Sequence, residues 1–171
     1  MVSTEQDNMG AVAEYRDVVT QVETKTGVTR IHFDWVINGK PDGSVPAKKL
    51  ELEVSDKGVF RRTYAGTNYD PPMQLLKLPA KADDKWEHKR VLNPDEEPLM
   101  TSFITGPSEE VEVGAGKFKA IRVTSRRSGG GRSLHQTHWY APNVGLVKEV
   151  TNKPGAPIET TWALKSFTPG K

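Results

Sequence analysis

A chain of 171 residues, 35% hydrophobic and 27% charged, is long enough to bury one core, and four Trp, four Tyr and five Phe supply large pieces for it. A net charge of +2 lacks the basic face of a dedicated nucleic-acid binder, and no window approaches the roughly 18 apolar residues of a membrane-spanning helix. The absence of cysteine excludes disulfides, thiolate catalysis and cysteine-ligated metals.

The first thirteen residues are polar and small, and a frayed terminus is expected there. Strand character begins at Tyr15, with Val18, Thr20 and Val22 two apart. After the turn at residues 23–27, the run 28–37 puts Ile31, Phe33, Trp35 and Ile37 on one face and His32, Asp34 and Val36 on the other. Residues 38–43, rich in Gly, Asn and Pro, break it. The run 49–55 alternates Leu50, Leu52 and Val54 inward with Glu51, Glu53 and Ser55 outward, and Asp56, Lys57 and Gly58 turn it back into 59–64 as a hairpin.

Residues 66–74, with Pro71 and Pro72, read as a non-repetitive link, and Leu75, Leu76 and Leu78 follow. Strands are expected at 86–92 and 100–105, separated by the acidic, proline-bounded loop 93–98. The last third is the clearest: 110–113 and 117–125 flank a Gly-Ala-Gly turn, 126–133 form a basic glycine-rich tip, 134–141 and 146–151 flank a Pro-Asn-Val-Gly turn, and 158–167 make a final strand.

About ten strands without any sustained helical period predict an all-β domain over residues 14–168, an antiparallel meander curled into a half-barrel or barrel-like sandwich. Curling limits the exposed edges that a flat sheet of this width would carry.

Little in the chain resembles catalytic apparatus. His135 and His138 lie three apart, which on a strand sends them to opposite faces, so a shared metal site is not expected. Asp83, Asp84, Asp95, Glu96 and Glu97 sit in turns, where solvated carboxylates are the ordinary outcome. No serine lies in a nucleophile-elbow motif. A hydrolase would have to draw on His88, His138 and the Asp83/Asp84 pair. No cofactor is implied.

Two sets of residues invite a binding role. Trp35, Trp86, Phe118 and Trp139 come from separate predicted strands and are the expected walls of a ligand cavity in a curved sheet. Arg126, Arg127 and Arg132 flank a run of three glycines and form a candidate anion contact, although the strand–loop–helix setting of a phosphate loop is missing.

The strand Gly116-Lys117-Phe118-Lys119-Ala120-Ile121-Arg122-Val123, followed by Trp139-Tyr140-Ala141-Pro142-Asn143-Val144-Gly145-Leu146-Val147-Lys148, resembles a pattern of uncharacterised exported bacterial proteins. Leu75 to Pro79, Lys85-Trp86 and the ending Trp162 to Phe167 extend the likeness over roughly residues 70–167. The resemblance implies a periplasmic or secreted protein whose leader is absent from this sequence, with a sheet distantly similar to that of lipoprotein carriers. The expectation is a non-enzymatic binding or structural module. Its partner would be a hydrophobic small molecule or an envelope protein, with lipid carriage and an unrecognised hydrolase as the alternatives.

Overall fold

The computed structural model describes residues 1–37, 48–91, 95, 97–129, 132–155 and 159–168. Within them are twelve strands and no helix. The first six are β1 (Val2–Asp7), β2 (Val12–Lys25), β3 (Val28–Ile37), β4 (Lys48–Ser55), β5 (Gly58–Tyr64) and β6 (Thr67–Lys77). The other six are β7 (Lys85–Arg90), β8 (Leu99–Val113), β9 (Gly116–Gly129), β10 (Arg132–Ala141), β11 (Gly145–Asn152) and β12 (Glu159–Ser166). All join one antiparallel sheet in the order β6-β5-β4-β3-β2-β1-β12-β11-β10-β9-β8-β7. The expected all-β meander is therefore present, with twelve strands where about ten were anticipated.

Two elements depart from the sequence reading. Residues 2–7, expected to be loose, form β1, which bonds to β2 on one side and β12 on the other and buries Ser3 almost completely. Of residues 66–74, expected to be a link, all but Gly66 belong to β6. That strand tolerates Pro71 and Pro72 because it is an edge, and its register with β5 skips from Asn68 to Met73.

The two edges, β6 and β7, curl toward each other. Trp86 Nε1 on β7 donates to the Gln74 carbonyl on β6 at 2.9 Å, and the Arg90 guanidinium of β7 lies 5.0 Å over the Tyr69 ring of β6. The core enclosed by this curl joins Met73, Leu75 and Leu76 of β6 to Phe103, Val123 and Tyr140 of β8–β10. Leu52, packed against that core, faces inward as its alternation predicts, while Glu51 and Glu53 pair with Arg62.

A second core lies under the far end of the β8–β9 hairpin. The hairpin bends at the register shift between Thr105 and Ser108, and Ala115 N–H donates to the Leu164 carbonyl of β12 at 3.0 Å. Val111 and Ala120 of the hairpin pack there on Ala141, Val147 and Leu164.

Gly58 opens β5 at φ +144, with its α-carbon against β6. A Cβ there would run into the Leu76 carbonyl oxygen. Gly58→Ala is expected to destabilise by about 2 kcal/mol through backbone strain, read as a lowered urea midpoint; an unchanged midpoint would contradict this close approach.

Candidate functional site

A cavity of about 310 Å³ opens inside the curl, walled by β1–β5 on one side and β11–β12 on the other. Strand alternation decides which residues reach it. Trp35 sits opposite Asp17 across β3 and β2, Glu149 sits opposite Trp162 across β11 and β12, and Trp162 sits opposite Glu5 across β12 and β1. All five line the cavity, with Leu50, Arg61, Tyr64 and Leu146. Aromatic and aliphatic faces thus alternate with charged groups around a single space.

Glu149 is the best-braced of these charges. It lies 3.0 Å from His138 Nε2, accepts from Gln136 Nε2 at 3.0 Å and from the Thr151 hydroxyl at 2.9 Å. Burial by itself would raise its carboxyl. The hydrogen bond and charge of His138, the Thr151 hydroxyl and the charge of Arg61 together outweigh burial and hold it at about 2. Tyr140, fully buried beside this cluster, is driven upward by burial.

Asp17 behaves in the opposite way. Burial raises its carboxyl from 3.8 to about 6, outweighing the opposing charge of the Met1 ammonium, which donates to the Asp17 backbone carbonyl at 2.8 Å. Tyr15, stacked on Trp35 with ring centroids 4.8 Å apart, is pushed up to about 12, first by burial and then by the charge of the adjacent Glu5. Arg61 spreads over the Tyr64 ring at 4.9 Å, and its buried Nε has no hydrogen-bond partner among the described residues.

The sign for Asp17 follows from linkage. Its folded-state value lies above its unfolded one, so it costs nothing below about pH 4 and destabilises increasingly as pH rises toward 6. Discounted for cavity water, the cost at pH 7 is about 1 kcal/mol. Asp17→Asn should therefore raise the urea midpoint at pH 7 and leave it unchanged at pH 3.5; an equal effect at both pH values would exclude the ionisation as its source.

The structure disperses the aromatic residues anticipated as one wall. Trp35 lines the cavity. Trp86 belongs to the solid core, stacked on Phe103 at 5.2 Å. Phe118 and Trp139 pack against the second core, where Trp139 Nε1 donates to Glu109 Oε1 at 2.6 Å and Lys148 lies 5.2 Å over its ring. Trp139 and His138 are strand neighbours and so face opposite ways, which is why the tryptophan misses the interior and the histidine reaches it.

The arginines also diverge. Arg126 and Arg127 lie within β9, not in a flexible tip, and alternate faces. Arg126 is exposed, whereas Arg127 is half-buried and its charge, after burial and Arg90, helps to lower His88. Arg132 is described only by its backbone pairing with Gly129. Asp83 and Asp84 sit in the exposed approach to β7, tied by backbone bonds to Thr105, and no contact joins them to His88 or His138.

Sequence reasoning missed Glu149, Arg61, Asp17, Glu5 and Trp162. The register of β11 with β10 would have found Glu149, since it lies directly opposite buried His138. Among the described residues, no group of three metal-ligating side chains converges.

No family model matches this chain, and no curated protein does. Two crystal structures share its fold. A candidate lipoprotein from Parabacteroides distasonis ATCC 8503 superposes with a TM-score of 0.64 at 16% identity, covering 98% of this chain and 93% of that one. A candidate exported protein with a YmcC-like fold, from Bacteroides fragilis NCTC 9343, superposes with a TM-score of 0.58 at 13% identity and the same coverage, 98% and 93%.

Proposed function

We propose that this chain is an exported, non-enzymatic binding module of the cell envelope or its surroundings, and that it holds a small ligand inside the barrel. The observation that carries the reading is the cavity of about 310 Å³, at the small end of the roughly 300–1,000 Å³ of ligand sites, where Trp35, Leu50, Leu146 and Trp162 share the walls with convergent charged groups. The two proteins of like fold, described as a lipoprotein and an exported protein, support the location.

The polarity of the cavity argues against a long acyl chain. Such a chain would lie against Glu5, Asp17 and Glu149, and the Met73–Phe103–Val123 core fills the barrel beyond. Catalysis is not invoked: His138 Nε2 is taken up by Glu149, and no described serine or threonine hydroxyl bonds to that histidine.

The test is native mass spectrometry of the purified protein, followed by thermal-shift screening of small polar metabolites with Trp35→Phe/Trp162→Phe as the cavity variant. Saturable stabilisation that weakens in the variant is expected. A library that leaves the transition unmoved in the parent protein would overturn the reading.

A further inference from the structure

The face of β7 that carries Trp86 into the core continues with His88 and Arg90 toward the end of the strand. His88 stands opposite Thr101 of β8, and Thr101 opposite Arg127 of β9, so the three share one side of the sheet. His88 and Thr101 are buried, and Arg90 and Arg127 are half-buried. Tyr69 of the facing edge closes the group. Its ring lies 6.0 Å from the His88 ring, and the Arg90 guanidinium stands 5.0 Å over it. None of these residues lines the cavity described above.

Among the described residues no carboxylate answers this cluster. Neither Arg90 nor Arg127 forms an ion pair or a side-chain hydrogen bond with any of them. Glu87 and Lys89 alternate to the exposed side of β7, and Glu149, which faces the same interior, is taken up by His138, Gln136 and Thr151. The Tyr69 ring covers one flat face of the Arg90 guanidinium and leaves its N–H edge open. Burial first, then the charges of Arg90 and Arg127, hold the His88 imidazole below its usual range, so it is neutral at pH 7.

Arg90 and Arg127 lie two strand spacings apart and are offset by two residues along the strands. Their Cα atoms are therefore about 12 Å apart, a gap that two arginine side chains close from both ends. Two guanidinium forks beside a neutral imidazole match a particular anion. A carboxylate carries one charge and would satisfy one fork. A phosphate monoester carries nearly two at pH 7 and offers three strong acceptor oxygens.

We propose that Arg90, Arg127 and His88 form a site for a doubly charged tetrahedral oxyanion, inorganic phosphate or a phosphate monoester, held between the two guanidiniums with the imidazole N–H as a third donor. The site is separate from the cavity and does not depend on what the cavity binds.

NMR of the His88 ring during titration with inorganic phosphate tests it, with sodium chloride and sodium acetate at matched ionic strength as controls. Phosphate should move the ring signals saturably and raise the pH at which they titrate, and sulfate should compete with it. Arg127→Gln and Arg90→Gln should each weaken phosphate binding by roughly tenfold or more, the scale of a lost charge-assisted contact. Arg127→Lys should retain part of the affinity. Arg126→Gln, on the opposite face of β9, and Trp35→Phe/Trp162→Phe, in the cavity, should leave it unchanged. Urea midpoints confirm that the variants fold, and Arg127→Gln, whose guanidinium lies over no ring, carries the test if Arg90→Gln does not.

Two further arms identify the source of the phosphate. Phenyl phosphate binding more tightly than inorganic phosphate assigns the site to a monoester, and equal affinity assigns it to the free ion. Sedimentation with phosphatidic acid vesicles, lost in Arg127→Gln and absent with phosphatidylcholine, assigns it to a lipid headgroup. Chloride or acetate reproducing the phosphate response would overturn the proposal. So would an affinity indifferent to both arginine variants, or His88 signals that do not move at tens of millimolar phosphate.

Discussion

Trp86→Ala is expected to lower the free energy of unfolding by about 3–5 kcal/mol, as truncation of a large packed aromatic does. Three separate contacts disappear at once. The indole stacks on Phe103 at 5.2 Å with the planes 2° apart, packs against the Met73–Leu76 core, and donates from Nε1 to the Gln74 carbonyl at 2.9 Å. The last contact spans the two strands at opposite ends of the sheet order. Trp86→Phe separates the effects: it keeps most of the buried surface and deletes the hydrogen bond, at about 1–2 kcal/mol. Hydrogen exchange provides the second readout. Amides of β6 and β7 should lose protection before those of β1 and β12, because the former are held on one side only. Equal loss across the sheet would show that the indole supports the core in general and not the seam in particular.

Glu149→Ala is the second large effect, about 3 kcal/mol at pH 7, since it strips His138, Gln136 and Thr151 of a shared acceptor and removes a negative charge that interacts with Arg61. Its pH dependence has a definite sign. The folded-state carboxyl is held at about 2, below the 4.5 of an unperturbed glutamate. Its contribution is therefore complete above about pH 4.5 and is lost as pH falls toward 2. Urea titrations of the parent protein and Glu149→Gln should converge in that acid window and diverge above it. A constant gap from pH 2 to pH 7 would mean that packing, not charge, accounts for the loss. Asp17 works in the other direction over an overlapping range, so the double variant should show a flatter stability profile than the parent.

The strands were legible wherever the interior is apolar. Leu50 and Leu52, Phe33 and Trp35, and the β10–β11 hairpin alternate against polar partners, and their faces follow directly. Legibility failed where the interior is polar. In β1, Ser3 and Glu5 point inward, so the strand carries no apolar alternation and its polarity suggested a loose end. Glu149 and Arg61 were invisible for the same reason: each stands next to a second charge, Lys148 or Arg62, so the pattern does not say which of the two faces inward, and a charge is read as outward unless the lumen is polar. In β6, Pro71 and Pro72 argued against a strand because proline removes a ladder donor, an objection that lapses at an edge. Trp139, expected as a cavity wall, sits against the second core, because composition names aromatics without saying which side they take. A hairpin folded over the opposite face claims it instead.

The pairing of β1 with β12 in the middle of the sheet carries a consequence for how the molecule can be cut. β1 and β12 lie side by side at the centre, while residues 78–84 bridge the two outermost ribbons. A circular permutant opened in that bridge, with the old ends spliced, would thread all twelve ribbons in the order in which they sit, every neighbour following directly from the last. Such a rearranged polypeptide should assemble faster than the parent, because the pairing of residues 2–7 with 160–166, the one ladder among the described residues that joins strands distant in sequence, then closes across a local turn.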